Sequence, residues 1–216
     1  MVFDVKWNKI VLDDSNVNVR LVVSKWLEED LSYLASKIST EFAFYLANYE
    51  VRQYRDTTFF IIPHQEIIIP KQRASSAEVE ITESMPYPIN GHKHPRGVTT
   101  FSTVDLEYIT NNADISLLVT EDGIQEATVR IISDLKMLGE TMILIRMRNI
   151  LRMFDEPKNY DMDAKVREIK EKLETPKYPI YTTVDNVING LTDDIFYYYE
   201  DDITATTKKK KKGGFK

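Results

Sequence analysis

The chain has 216 residues, 43% of them hydrophobic, and a formal net charge of −6. That is enough apolar material for a proper core, in one ordinary domain plus an extension or in two small domains, and the negative balance does not indicate general nucleic-acid affinity. There is no cysteine, which excludes disulfides, thiolate zinc sites and a cysteine nucleophile.

No apolar run approaches a membrane span in length, and Met1-Val2-Phe3-Asp4-Val5-Lys6 lacks the basic-then-apolar plan of a signal peptide. A soluble, cytoplasmic protein is the expectation. Residues 3–12 are β-prone and end in the turn cluster Asp13-Asp14-Ser15-Asn16. A second strand is expected over 17–23, where Val17, Val19 and Leu21 alternate. Ser24 then reads as the N-cap of an amphipathic helix over 25–38, with Trp26, Leu27, Leu31, Leu34, Ala35 and Ile38 at helical spacing. Glu28, Glu29 and Asp30 favour its N-terminal end. Further strands are expected over 42–54, broken near Asn48, and over 57–62. His64, between Pro63 and Pro70, reads as an ordinary surface or core histidine. A polar loop over 71–76 and an alternating, partly exposed strand over 78–82 follow.

Two of the three histidines then stand one residue apart, in Gly91-His92-Lys93-His94-Pro95. On an extended segment their side chains share a face, and a pair of imidazoles suits zinc. Asp105, in Ser102-Thr103-Val104-Asp105, could add an oxygen ligand. Three protein ligands with a fourth position left to water is the catalytic form of zinc site. Ser-x-x-Asp is equally an ordinary helix start, with Ser102 as N-cap and Asp105 in the first turn. The two readings are compatible, because a helix N-terminus can turn Asp105 back towards the histidines. Pro86 and Pro88 ahead of the motif predict a ligand-bearing strand that is short or at a sheet edge.

After a helix ending at Asn111-Asn112, residues 115–120 read as a buried strand, Glu121-Asp122-Gly123 as a hairpin turn and 125–132 as the return strand. A helix is expected over 134–154, capped by Ser133. Met142-Ile143-Leu144-Ile145 is apolar all round and implies burial or a partner, and Arg146, Arg148 and Arg152 read as a solvated face and a favourable helix C-terminus. A shorter charged helix is expected over 161–173. Residues 180–200, with Tyr197-Tyr198-Tyr199, could pack on the domain or form a homo-oligomer contact. Lys208, Lys209, Lys210, Lys211 and Lys212 read as a disordered tail, the one stretch through which nucleic acid could be contacted.

His92-x-His94, seven residues, then Ser102-x-x-Asp105 resembles the JAMM (MPN-plus, JAB) metalloprotease signature, and His-x-His-Pro-x-Gly is similar to its bacterial and phage members. Lys93 departs from the Ser or Thr of many relatives, but on a strand it would face away from the metal. The resemblance implies an α/β (α+β) fold of the JAMM/cytidine-deaminase-like kind, a curved mixed sheet flanked by helices. It would occupy 1–133, followed by a helical C-terminal extension over 134–202 and a Lys-rich tail over 203–216. It also implies one zinc ion per chain, held by His92, His94 and Asp105. Glu41, which heads the strand after the first helix, would be the acid–base catalyst, with Glu50 and Glu66 as alternatives, and Ser102 would stabilise the oxyanion. The implied activity is (iso)peptidase cleavage of a protein carrying a ubiquitin-like modifier or sulfur-carrier protein. A catalytically inactive MPN-type scaffold, or a viral or phage assembly protein working through its extension, is the other reading.

Overall fold

In a computed structural model of the chain, residues 18–75, 78–83, 85–135 and 139–174 are described. The strand expected over 3–12, and the expectations for 180–200 and the lysine tail, lie outside them. Alternating Val19, Leu21 and Val23 build β1 (Asn18–Ser24). Ser24 ends the strand and caps α1 (Lys25–Lys37), its Oγ accepting from Leu27 N at 3.4 Å. Leu27, Leu31 and Leu34 are fully buried, the stripe that helical periodicity demands of a core-facing helix. Each contributes roughly 1.5–3 kcal/mol by leaving water.

The remaining elements are β2 (Ala43–Leu46), β3 (Glu50–Tyr54), β4 (Thr57–Ile62), β5 (Gln72–Ala74), β6 (Val79–Ile81), β7 (Ile89–Lys93), α2 (Thr103–Asn112), β8 (Ile115–Thr120), β9 (Gly123–Leu135), β10 (Gly139–Met147), β11 (Leu151–Met153), α3 (Met162–Lys172) and β12 (Leu173–Glu174). They form a mixed α/β structure with three sheets, ordered β11-β1-β4-β3, β10-β9-β8-β7-β2 and β12-β5-β6.

The five-stranded sheet positions the histidines. β7 runs antiparallel to β2 and parallel to β8, with α2 making the crossover that a parallel pair requires. β7 is short, at five residues, but it is interior, not at an edge. Both prolines precede it, so neither removes a donor from the ladder. Pleating gives the sheet two faces. Phe44, Leu46, Ile89, Leu117 and Val119 join the α1 leucines in the main core, whereas Leu118 packs with Phe101 and Ile109 at α2. Gly91 sits where Phe44 and the β8 backbone press close. A Cβ there would lie 2.2 Å from the Phe44 ring and 2.8 Å from Leu117 O, so no larger residue fits. Gly123 closes the β8–β9 hairpin with φ +110.

The helix expected over 134–154 does not form. That stretch completes β9, returns as β10 and ends in β11, with Met142↔Ile132 through Met147↔Ala127 in antiparallel register. Met142-Ile143-Leu144-Ile145 is too short an apolar run to show a helical or a strand period, and pairing with β9 decides it. As a strand the run completes the edge of the sheet beside β9. Arg146 and Arg148 alternate with buried Met147, a period of two, not 3.6. The described part of the expected extension is also no appendage. The 133/134 boundary falls inside β9, β11 pairs with β1, and Val166 and Ile169 of α3 lie in the same core as α1. Only α3 is helical there, close to the expected 161–173. Among the described residues no helix is long and apolar enough to cross a membrane.

Candidate metal centre

His92 lies on β7 opposite Ala43 of β2, and the ladder continues past it through Lys93 N donating to Phe42 O at 2.9 Å. Extending this register sets Glu41 opposite His94. Residues directly opposite on an antiparallel pair project from the same face, so Glu41, Ala43, Asn90, His92 and His94 share one. His94 N continues on the other side, donating to Val119 O at 2.9 Å. The chain then loops out and returns at Phe101, whose N donates to Glu126 Oε2 at 2.8 Å and whose ring lies 5.8 Å from that of His92. This anchored return starts α2 over the histidines.

Ser102 and Asp105 form a complete capping box. Asp105 N donates to Ser102 Oγ at 3.1 Å, and Ser102 N donates to Asp105 Oδ2 at 2.7 Å. The cap fixes the Asp105 carboxylate against the imidazoles. His92 Nε2 is 3.2 Å from Oδ1, His94 Nε2 is 3.4 Å from Oδ2, and the two Nε2 atoms are 2.8 Å apart. A tetrahedral ion with ligands at about 2.0–2.1 Å has ligand–ligand edges of roughly 3.3 Å. The contacts to Asp105 lie near that spacing and the two imidazole nitrogens are closer than it, and together the three groups could hold a metal ion. One partner common around metal-bound histidines is missing: His94 Nδ1 is buried with no hydrogen-bond partner among the described residues. Packing and the Asp105 contact orient that ring instead.

The electrostatics separate the two acids. Burial alone would raise the Asp105 pKa, but hydrogen bonds and charge from His92 and His94, with help from Ser102, hold its carboxyl far below the usual carboxylate range. Asp105 is thus a permanent anion. Glu41 is 6% exposed, and its carboxyl is pushed up to about 7, chiefly by burial, with His94 opposing and Asp105 adding to the rise. Glu50 instead pairs with Arg52, and Glu66 with Lys165, both as exposed side chains. Ser102 Oγ lies 2.7 Å from Asp105 Oδ2 and donates its proton there.

Lys93 faces away from the cluster, as the alternation predicts. It does not reach solvent, however. It is 7% exposed, and its Nζ donates to Ile38 O at 2.6 Å and Thr40 O at 3.2 Å, bracing the turn that delivers Glu41. Burial lowers its pKa, against the nearby charges of Glu121 and Glu41. Glu126 was silent in the sequence. It is 1% exposed, takes two hydrogen bonds from Arg146 at 2.9 and 3.0 Å and holds the Phe101 amide. The signal was a charge within the apolar alternation of β9, but its partner Arg146 could be placed only once β10 was known to be a strand. Arg152 likewise meets buried Glu28 of α1, at 2.5 Å, where a solvated helix end was expected. His64 is a satisfied core histidine, bonded to Asp30 at 2.9 Å and accepting from Lys158 N at 2.9 Å. Comparison of the chain with protein-family models and with curated proteins finds no match to either.

Proposed function

We propose that the chain is a zinc-dependent (iso)peptidase of JAMM type. Its substrate would be a protein joined by an amide bond to a ubiquitin-like modifier or sulfur-carrier protein. The observation that carries this reading is the convergence, over one sheet face, of three groups that could hold a metal ion with a buried acid poised near neutrality. Zinc held by His92, His94 and Asp105 would supply Lewis acidity and an activated water. Glu41, at about 7, suits both halves of a proton shuttle, taking a proton from the attacking water and giving it to the departing amine. Ser102 Oγ, which donates to the ligand carboxylate, would turn that proton to a developing oxyanion. The modifier class rests on the sequence resemblance alone.

One feature favours the inactive-scaffold reading: Asp105 is already satisfied by the capping box and the two imidazoles, a network that closes on itself. Metal content of the purified chain, measured by mass spectrometry beside His92→Ala/His94→Ala, separates the two. Near-stoichiometric zinc in the parent and none in the variant, followed by cleavage of modifier conjugates, is the expected result. No zinc in either after reconstitution leaves the scaffold.

A further inference from the structure

A pocket of about 250 Å³ opens beside the His92–Asp105 edge of the cluster, between β6, α2 and the faces of β7 and β8. Its floor is polar and unsatisfied. Asn90 and Ser116 are register partners on β7 and β8, are 4% and 1% exposed, and line the pocket, with Asn90 Oδ1 and Ser116 Oγ lacking a hydrogen-bond partner among the described residues. Buried polar atoms left unpaired are costly, and in a native protein call for an explanation.

The walls are apolar. Val79 and Ile81 stand on one side, and Val104 and Tyr108 of α2 on the other. Val104 and Tyr108 are 66% and 40% exposed, an unusual degree of exposure for large apolar groups flanking a cavity. The rim is acidic. Glu78 and Glu80 line it, and no lysine or arginine does. Arg73 pairs with Glu80 from outside at 3.5 Å. The volume falls below the roughly 300–1,000 Å³ of sites for whole small molecules and suits one long side chain.

An aliphatic stem between apolar walls, a head that only donates hydrogen bonds meeting two free acceptors, and a cation drawn by an acidic rim describe one chemistry. We propose that this pocket takes the side chain of a lysine-like residue, an alkylammonium, flanking the amide presented at the metal cluster. The location beside the cleaved bond rests on the reading in the preceding section; the ligand class does not. An ammonium carries three donors and no acceptor, so it satisfies Asn90 Oδ1 and Ser116 Oγ together. A carboxylate could accept from the Ser116 hydroxyl, but would face Asn90 Oδ1 and an acidic rim.

The test has two arms, both on the full chain. In the first, metal-free protein is titrated with n-pentylammonium and separately with pentanoate, at millimolar concentration, and followed by heteronuclear NMR. Saturable shifts of the Asn90 side-chain amide and the Ser116 backbone amide with pentylammonium alone are expected, weakened at least tenfold in Ser116→Ala and in Asn90→Leu. Shifts from both ions alike, or from neither, overturn the proposal. So does an unchanged pentylammonium affinity in a folded Ser116→Ala. In the second arm, zinc-loaded protein is titrated calorimetrically with lysine hydroxamate and norleucine hydroxamate. Tenfold tighter binding of the lysine compound, lost in Ser116→Ala, is expected. Equal binding of the two overturns the placement beside the cleaved bond. If neither hydroxamate binds while pentylammonium still does, the metal reading fails and the alkylammonium pocket stands.

Discussion

Glu41→Gln should stabilise the metal-free protein above neutral pH and leave it nearly unchanged in acid. The Glu41 carboxyl is raised from 4.5 to about 7, mainly by burial. Below the lower value it is protonated in both folded and unfolded chains, so it adds no pH dependence. Between the two values the unfolded chain ionises while the folded one holds its proton, and stability falls as pH rises. Above about 7 both states are ionised and the full penalty stays. At about 1.36 kcal/mol per pH unit, the gap is worth about 3 kcal/mol. Gln has the shape of the protonated acid and cannot ionise, so the variant escapes this loss. Urea unfolding of metal-free parent and variant at pH 4.5 and pH 8 checks it. The variant should gain about 3 kcal/mol relative to the parent between the two conditions, a Tm difference of roughly 6–12 °C for a chain of this size. The change with pH matters more than the offset, because an imperfectly paired amide would shift both conditions equally. An identical difference at both pH values would refute the burial of an ionisable Glu41.

Other variants address the cluster and its supports. His94→Ala should lose zinc, and with it the zinc-dependent rise in Tm expected for the parent on metal titration. Tight zinc in that variant would move the site elsewhere. Ser102→Ala removes an N-cap hydroxyl and should cost about 1 kcal/mol of stability in denaturant melts. It should retain zinc and slow amide hydrolysis about a hundredfold in a modifier-conjugate assay. Glu126→Leu would leave the Phe101 amide without its acceptor, at a cost of about 1–3 kcal/mol, and should weaken zinc binding by loosening the return onto α2. Unchanged zinc affinity in a chemical competition assay would show that this loop positions nothing. Leu31→Ala, in the main core on α1, should lose about 2–5 kcal/mol with zinc stoichiometry preserved.

Local signals carried much of the structure. The alternation of β1, the Ser24 cap and leucine stripe of α1, the Thr57–Ile62 and Ile115–Thr120 strands and the Ser102 cap were all legible, because each rests on side-chain period or capping chemistry within a few residues. His92, His94 and Asp105 were legible as ligand types at a telling spacing, and strand geometry alone put the two histidines on one face. What the sequence could not determine depends on partners distant in the chain. Residues 139–147 read as helix because a short apolar run has no decisive period, and only pairing with β9 makes it a strand. Lys93 finds carbonyls 53 and 55 residues away, Glu126 finds Arg146 across a hairpin, and Asn90 meets Ser116 through a parallel register that the crossover sets. Ligand identity is a property of residue type, and one side chain suffices to suggest it. The burial that raises Glu41 towards neutrality, and the Asn90 and Ser116 oxygens without a partner among the described residues, belong to the space enclosed by several strands and a helix, and that space exists only when the chain is folded.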